Sequence, residues 1–252
     1  DYRKEPNMKT NFLNIDTLES LYRKYLPELT HFTMHLNRIG KQMRSYGLAA
    51  IDVEILYLMI REHRPKTIVE ISPDKGYSTY VICSAMNDNE MGHLWSYDLN
   101  IEHVHELEVY NPIAGKHVKC AENSTFIEGD VKEQYVPDEI DYLFLDSDHS
   151  YEFADWYIEN LFPKVKPGGL ISIDDMWQKG GEFYHYQDGI DPAIRESRRI
   201  EEFIKENNLD LPFSYERHCK DIRDMRSKVG VTTMPRFNNE DSSVHGMTWM
   251  KK

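Results

Sequence analysis

From Arg64-Pro65 onward, short apolar runs that end in acidic or small residues alternate with amphipathic stretches. That alternation constrains the fold more than any other feature of the chain. The runs are TIVEI (67–71), HLWSYD (93–98), STFIEG (124–129), DYLFLD (141–146) and LISID (170–174), with helices fitting at 77–87, 101–109 and 151–162. Near-continuous apolar strands separated by helices require a parallel sheet covered on both faces. The expected fold is therefore α/β, Rossmann-like and doubly wound, with a mostly parallel seven-stranded sheet. A helix is expected through AIRESRRIEEFIKEN, then PFSYERH and KVGVTTM as an antiparallel C-terminal hairpin, with HGMTWMKK as one more strand.

The first sixty-odd residues read as helical. Asp16 or Thr17 is placed to cap a helix through LESLYRKYL, which Pro27 should end, and AIDVEILYLMIREH carries a second apolar face. Residues 1–64 are thus expected as a helical cap on the substrate side, and 65–252 as the main domain.

Composition excludes several classes. With 30 basic against 43 acidic residues, a net charge of −13 argues against a protein that tracks a nucleic-acid backbone. The basic run RESRRI (195–200) is read as the solvated face of a helix. Cys83, Cys120 and Cys219 are odd in number and widely spaced, which suggests no disulfide framework and a reducing, cytoplasmic setting. No apolar run has the length of a membrane span. The start at Asp1 rather than Met reads as a processed or excised piece, one domain of a longer protein, and self-association stays open.

In an open parallel sheet, ligands bind beyond the carboxyl ends of the strands, and the distinctive residues all fall there. Glu70 closes the first strand, and the turn ISPDKGYST follows, with Gly76 and Ser78 at a helix start where backbone N–H groups face a ligand. Asp98 ends the second strand, suited to accept from two ribose hydroxyls. Gly129-Asp130 ends the third. The plainer reading makes Ser72-Pro73-Asp74 a simple turn and Asp98 a helix cap. The strands LFLD and LISIDD end in Asp146 and Asp174-Asp175, and neighbouring strands lie roughly 5 Å apart. Unpaired carboxylates raise each other's pKa unless something positive sits among them. An all-oxygen set favours a hard cation, Mg²⁺ or Mn²⁺.

VEISPDKGYST, YDLN, EGD, LFLDSDHSYE and KPGGLISIDD together resemble the successive motifs of class I S-adenosylmethionine-dependent methyltransferases, over roughly residues 65–176. Their spacing is similar to that of the metal-dependent macrocin-type and catechol-type O-methyltransferases. The resemblance implies that Glu70, Ser72 and the Gly76–Ser78 turn hold the amino-acid end of the cofactor. It places the ribose on Asp98, the adenine beside Gly129 and Asp130, and Asp146 at the cofactor's edge. It also implies a divalent metal on Asp146, Asp174 and Asp175. One departure stands out, since Ser72 occupies a position that is usually glycine in the family. His149, three residues past Asp146, is the expected base, with Asp148 as its rival. Asp148 also reads as a cap for the helix beginning near Tyr151. Trp177 and the run FYHY (183–186) would form a lid, stack on an acceptor ring, or lie in the core.

The expected activity is O-methylation of a sugar, a glycan or a glycosylated small molecule, with a catechol or phenol acceptor as the alternative. A non-catalytic nucleoside-binding module of the same fold is the second alternative. A nicotinamide oxidoreductase is disfavoured because the glycine pattern does not suit a pyrophosphate.

Overall fold

The computed structural model describes residues 8–43, 50–101, 104, 106–111, 115–177, 182–183, 195–231 and 246–252. The helices α1 (Ile15–Met43) and α2 (Ala50–His63) precede β1 (Thr67–Ile71), α3 (Tyr77–Asn89) and β2 (His93–Asp98). A hairpin, β3 (Glu108–Asn111) with β4 (Lys116–Lys119), leads to β5 (Ser124–Glu128), β6 (Ile140–Leu145), α4 (Tyr151–Asn160) and β7 (Val165–Trp177). The helices α5 (Glu196–Glu206) and α6 (Tyr215–Val229) come before the last strand, β8 (Gly246–Lys251).

Among the described residues the main sheet has six strands rather than seven, in the order β5-β2-β1-β6-β7-β8. All of its pairings are parallel except β7 with β8. Strand order reverses between β1 and β6, and that crevice is where such a sheet binds ligands. Alternation along β6 feeds both layers: Tyr142 and Phe144 pack on the side of α1, α2, α3 and α6, while Leu143 and Leu145 pack on the side of α4 and α5.

Three expected elements differ. The first helix does not stop at Pro27. It bends at Tyr25 (φ −110°, ψ 15°) and continues, because Leu29, Phe32 and Leu36 carry its buried stripe onward. Its cap is Asn14, whose Oδ1 accepts from the Thr17 N–H at 2.9 Å, rather than Asp16 or Thr17. Within 101–109, residues 108–109 open strand β3 instead of closing a helix, while 102, 103 and 105 lie outside the described residues. PFSYERH and the start of KVGVTTM form no strand hairpin. Ser214 caps α6 by accepting from Arg217 N, Ile222, Met225 and Val229 bury a helical face, and Gly230 ends it at φ 82°. The aromatic and β-branched side chains there suggest strands, but the cap and the three-to-four-residue spacing decide for helix. The tail is the expected strand, running antiparallel to β7. No helix among the described residues is long and apolar enough to cross a membrane.

Candidate functional site

The turn after β1 is built on left-handed backbone. Ser72, Asp74 and Gly76 have φ of 67°, 46° and 82°. A Cβ on Gly76 would lie 2.2 Å from Leu107 Cδ1 and 2.7 Å from Val104 Cγ1, so a larger residue would have to push both side chains aside as well as adopt a strained φ of 82°. Ser72 sits in a conformation that glycine adopts freely and L-residues reach at about 1–2 kcal/mol. That is the physical content of its departure from the family pattern. Glycine also loses more chain entropy on folding, which offsets part of the relief. Ser72→Gly is therefore expected to leave stability unchanged or raise it by up to about 1 kcal/mol, read from urea midpoints; a loss of that size would contradict the strain.

Glu70 is fully buried and accepts from the hydroxyls of Ser78 (2.6 Å), Thr79 (2.8 Å) and Ser96 (2.7 Å). Burial raises its pKa and the three hydroxyls oppose that rise. Its carboxylate thus ties β1, β2 and the start of α3 together under the turn. At the end of β2, Asp98 Oδ2 accepts from Asp74 N (3.0 Å) and Oδ1 from Asn100 N (3.2 Å), while Gly129 N donates to Asp98 O (2.8 Å). Gly129 has φ 127°, and Asp130 Oδ1 accepts from Lys132 N at 2.9 Å. The expected cofactor residues therefore line one edge of the sheet across β1, β2 and β5.

The acidic end of the site lies across the reversal point. Asp146 N donates to Ile71 O (3.3 Å), and register pairs Leu145 with Ile173. Asp146, just past β6, therefore stands beside Asp174, which lies within β7 because that strand runs on to Trp177 rather than ending at 174 as expected. What sits among the carboxylates in this structure is an imidazole. His149 Nε2 lies 3.3 Å from Asp175 Oδ2 and 3.6 Å from Asp146 Oδ1, and its Nδ1 lies 2.8 Å from Glu196 Oε2. Burial alone would lower the His149 pKa, but Glu196, Asp175 and Asp146 outweigh it and push it up to about 9. It is therefore an imidazolium at neutral pH, well above the near-neutral base that the sequence suggests. Burial first, then Asp175 and other acids against the relief of His149, raises Asp146 to about 7. Both His149 (φ 55°) and Asp175 (φ 56°) are in left-handed conformations, a strain typical of working sites.

Glu196 is the residue the sequence reading missed. It is buried at the first turn of α5, its N–H donates to His149 O (2.8 Å), and its Oε1 accepts from Tyr157 OH (2.8 Å). The run RESRRI is thus only partly a solvated face, for its glutamate turns inward to hold the histidine. Asp148 is exposed, and its Oδ1 accepts from Ser150 N and Oγ at 3.0 Å each; Ser150 in turn caps α4. Trp177 is core: fully buried, it donates to Thr248 Oγ1 (2.6 Å) and stacks on Phe183 with ring centroids 4.3 Å apart. Tyr184, His185, Tyr186 and Asp188 lie outside the described residues.

No three histidine, cysteine or acidic side chains among the described residues are arranged to hold a metal ion. One observation still favours a cation: Asp174 is buried with Oδ1 unpartnered, its pKa well raised by burial and then by Asp175, Asp146 and Asp52. Glu216, against the start of β8, is likewise raised to about 7, chiefly by burial. All these folded-state values lie above the unfolded ones, so each group's contribution is full below its unfolded pKa and lost as pH rises through the folded one. Asp146 and Glu216 lose theirs between about 4 and 7, and His149 between about 6.5 and 9. Urea midpoints should therefore be lower at pH 8.5 than at pH 5.5, and the reverse order would contradict the cluster's charge state.

The family described as "Methyltransferase domain" matches residues 69–176, the segment from β1 to β7 that carries every strand end described above. Residues 69–176 are similar to that family, over less than half of the chain. Around it, the chain has the fold of S-adenosylmethionine-dependent O-methyltransferases. The methyltransferase TomG from Streptomyces achromogenes, an O-methyltransferase involved in tomaymycin synthesis solved with S-adenosylmethionine, superposes with a TM-score of 0.54 at 14% identity, covering 87% of this chain and 88% of that one. A SAM-dependent O-methyltransferase from Thermotoga maritima gives a TM-score of 0.50 at 14% identity, covering 86% and 71%. A search of curated protein sequences finds no match.

Proposed function

We propose that this methyltransferase transfers the methyl group of S-adenosylmethionine to a hydroxyl oxygen of a sugar, a glycan or a glycosylated small molecule. The observation that carries the reading is the His149–Glu196 pair at the mouth of the site. Methyl transfer displaces the sulfonium in line, so the acceptor hydroxyl must give up its proton as the new C–O bond forms. Glu196 holds Nδ1 and so aims Nε2 toward Asp146 and Asp175, the arrangement by which a buried carboxylate orients a catalytic imidazole. A sugar hydroxyl is a weak acid, and the imidazole can take its proton only after losing its own, near pH 9, so turnover should rise toward alkaline pH. Side chains of Asp146, Asp175 and His149 keep partial exposure there, offering a polar rim that matches a polyhydroxyl acceptor better than an apolar phenol. On the cofactor side, Asp98 takes the ribose, Glu70 and Ser78 brace the turn around the amino-acid end with Ser72 and Gly76, and Gly129 and Asp130 flank the adenine.

A divalent cation is a second reading, favoured by the orphaned Oδ1 of Asp174. Asp146, Asp174 and Asp175 would hold Mg²⁺ or Mn²⁺, which supplies Lewis acidity and charge to hold the acceptor oxygen. Titration calorimetry with S-adenosylmethionine, S-adenosylhomocysteine and NAD tests the cofactor. Binding of the first two and not the third is expected, and NAD binding alone would end the methyltransferase reading. Turnover in excess EDTA separates the two chemistries: activity lost and restored by Mg²⁺ favours the cation, and full activity in chelator rejects it.

A further inference from the structure

Apart from the acidic cluster, α1 meets the β3–β4 hairpin through imidazoles. His31 and His35 stand one helical turn apart, and their Nε2 atoms lie 3.2 Å from each other. The ring of His35 stacks on Tyr110 of β3, with centroids 4.5 Å apart and planes at 7°, and His31 leans on the same tyrosine at 5.2 Å. His117 of β4 adds a third imidazole, its ring centroid 6.2 Å from that of His35 and 5.6 Å from Tyr110.

We propose that the His31–His35 pair forms a two-imidazole binding site for a Zn²⁺-class divalent transition ion, which His117 would complete only by moving toward it. In a tetrahedral site with metal–nitrogen bonds of about 2.0–2.1 Å, two ligand nitrogens are about 3.3 Å apart. The His31–His35 separation already matches that spacing. Stacking on Tyr110 fixes the His35 ring, so one ligand is held in place before the ion arrives. The side chains of His31 and His117 are exposed, so a rotamer change can bring the third ring in and water can fill what remains. Imidazole nitrogen selects zinc, nickel and copper over magnesium, which prefers oxygen. This site and the carboxylate cluster therefore take different ions.

An ion there would fasten the hairpin to α1. The segment just before β3 carries Val104 and Leu107, which pack against Gly76, so the fastening also steadies the wall beneath the cofactor turn.

Calorimetry on the tag-free full chain, titrated with ZnCl₂ and separately with MgCl₂, tests the proposal. One Zn²⁺ equivalent is expected to bind and to raise the melting temperature. His31→Ala and His35→Ala should each weaken Zn²⁺ binding on the order of tenfold or more. His93→Ala, whose ring is tied to Thr125 elsewhere, should leave it unchanged. Circular dichroism confirms that the variants fold, and the exposed His31 keeps the test readable if His35→Ala does not. Absence of Zn²⁺ binding at about 100 µM, or binding that survives both substitutions, would overturn the site.

Discussion

His149→Ala is expected to lower turnover at least a hundredfold while leaving the dissociation constant of S-adenosylmethionine unchanged. A positioned general base contributes about 10²–10⁴ in rate, and His149 Nε2 is the imidazole nitrogen that lies beside the partly exposed Asp146 and Asp175. The ring meets Asp146 at the cofactor's edge (3.6 Å), but its hydrogen bond runs to Glu196 and not to the residues expected at the ribose and adenine, so cofactor affinity should not follow activity. Glu196→Gln separates positioning from proton transfer. It keeps the volume but removes the charge that holds Nδ1, so the alkaline limb should move toward lower pH rather than vanish. In the native enzyme, kcat/KM reports ionisations of the free protein and should rise with pH toward an inflection near 9, where the imidazolium loses its proton. In His149→Ala that limb should be gone. If Asp148→Asn is the crippling change and His149→Ala is mild, the base is the aspartate, although Asp148 is exposed and braces the cap of α4.

The second large effect belongs to Asp98→Ala. Asp98 ends β2 with one oxygen on Asp74 N and the other on Asn100 N, which leaves acceptor capacity on both for ribose hydroxyls. Two charge-assisted hydrogen bonds, worth on the order of 1.5–3 kcal/mol each, would be lost. Affinity for S-adenosylmethionine and S-adenosylhomocysteine should fall together, by on the order of a hundredfold or more, because the ribose is common to both. Asp98→Asn keeps the brace on Asp74 and should fall less. An unchanged dissociation constant in Asp98→Ala would place the ribose elsewhere.

How much of this was legible in the sequence differs by element. TIVEI and HLWSYD are β1 and β2 to the residue, because a buried parallel strand is an apolar run with turn signals on either side. The run AIDVEILYLMIREH is α2 to the residue for a similar reason, its length settling helix over strand. The first helix misled, since a proline inside a helix is tolerated where a buried stripe carries past it. The β3–β4 hairpin and α6 misled because local propensity there is ambiguous and long-range packing decides. At the site, the carboxylates on neighbouring strands followed from strand order. That the His149 imidazole, rather than the expected metal ion, stands beside them did not. Glu196 is 47 residues beyond His149 in the chain and reaches it only because α5 packs on α4, through Arg199 with Asp155 (2.6 Å) and Tyr151 with Glu202 (2.7 Å). No local pattern announces such a contact. The left-handed backbone at Ser72, His149 and Asp175 is equally silent in the sequence, since none of the three is a glycine.

The most direct test of the account is product analysis with methyl-labelled S-adenosylmethionine against a panel of sugars, glycosides and catechols, run with the native protein and His149→Ala. Label is expected on a hydroxyl oxygen of a sugar or glycoside, at a rate at least a hundredfold lower in the variant. Label on nitrogen or carbon, or equal rates in the two proteins, would contradict it.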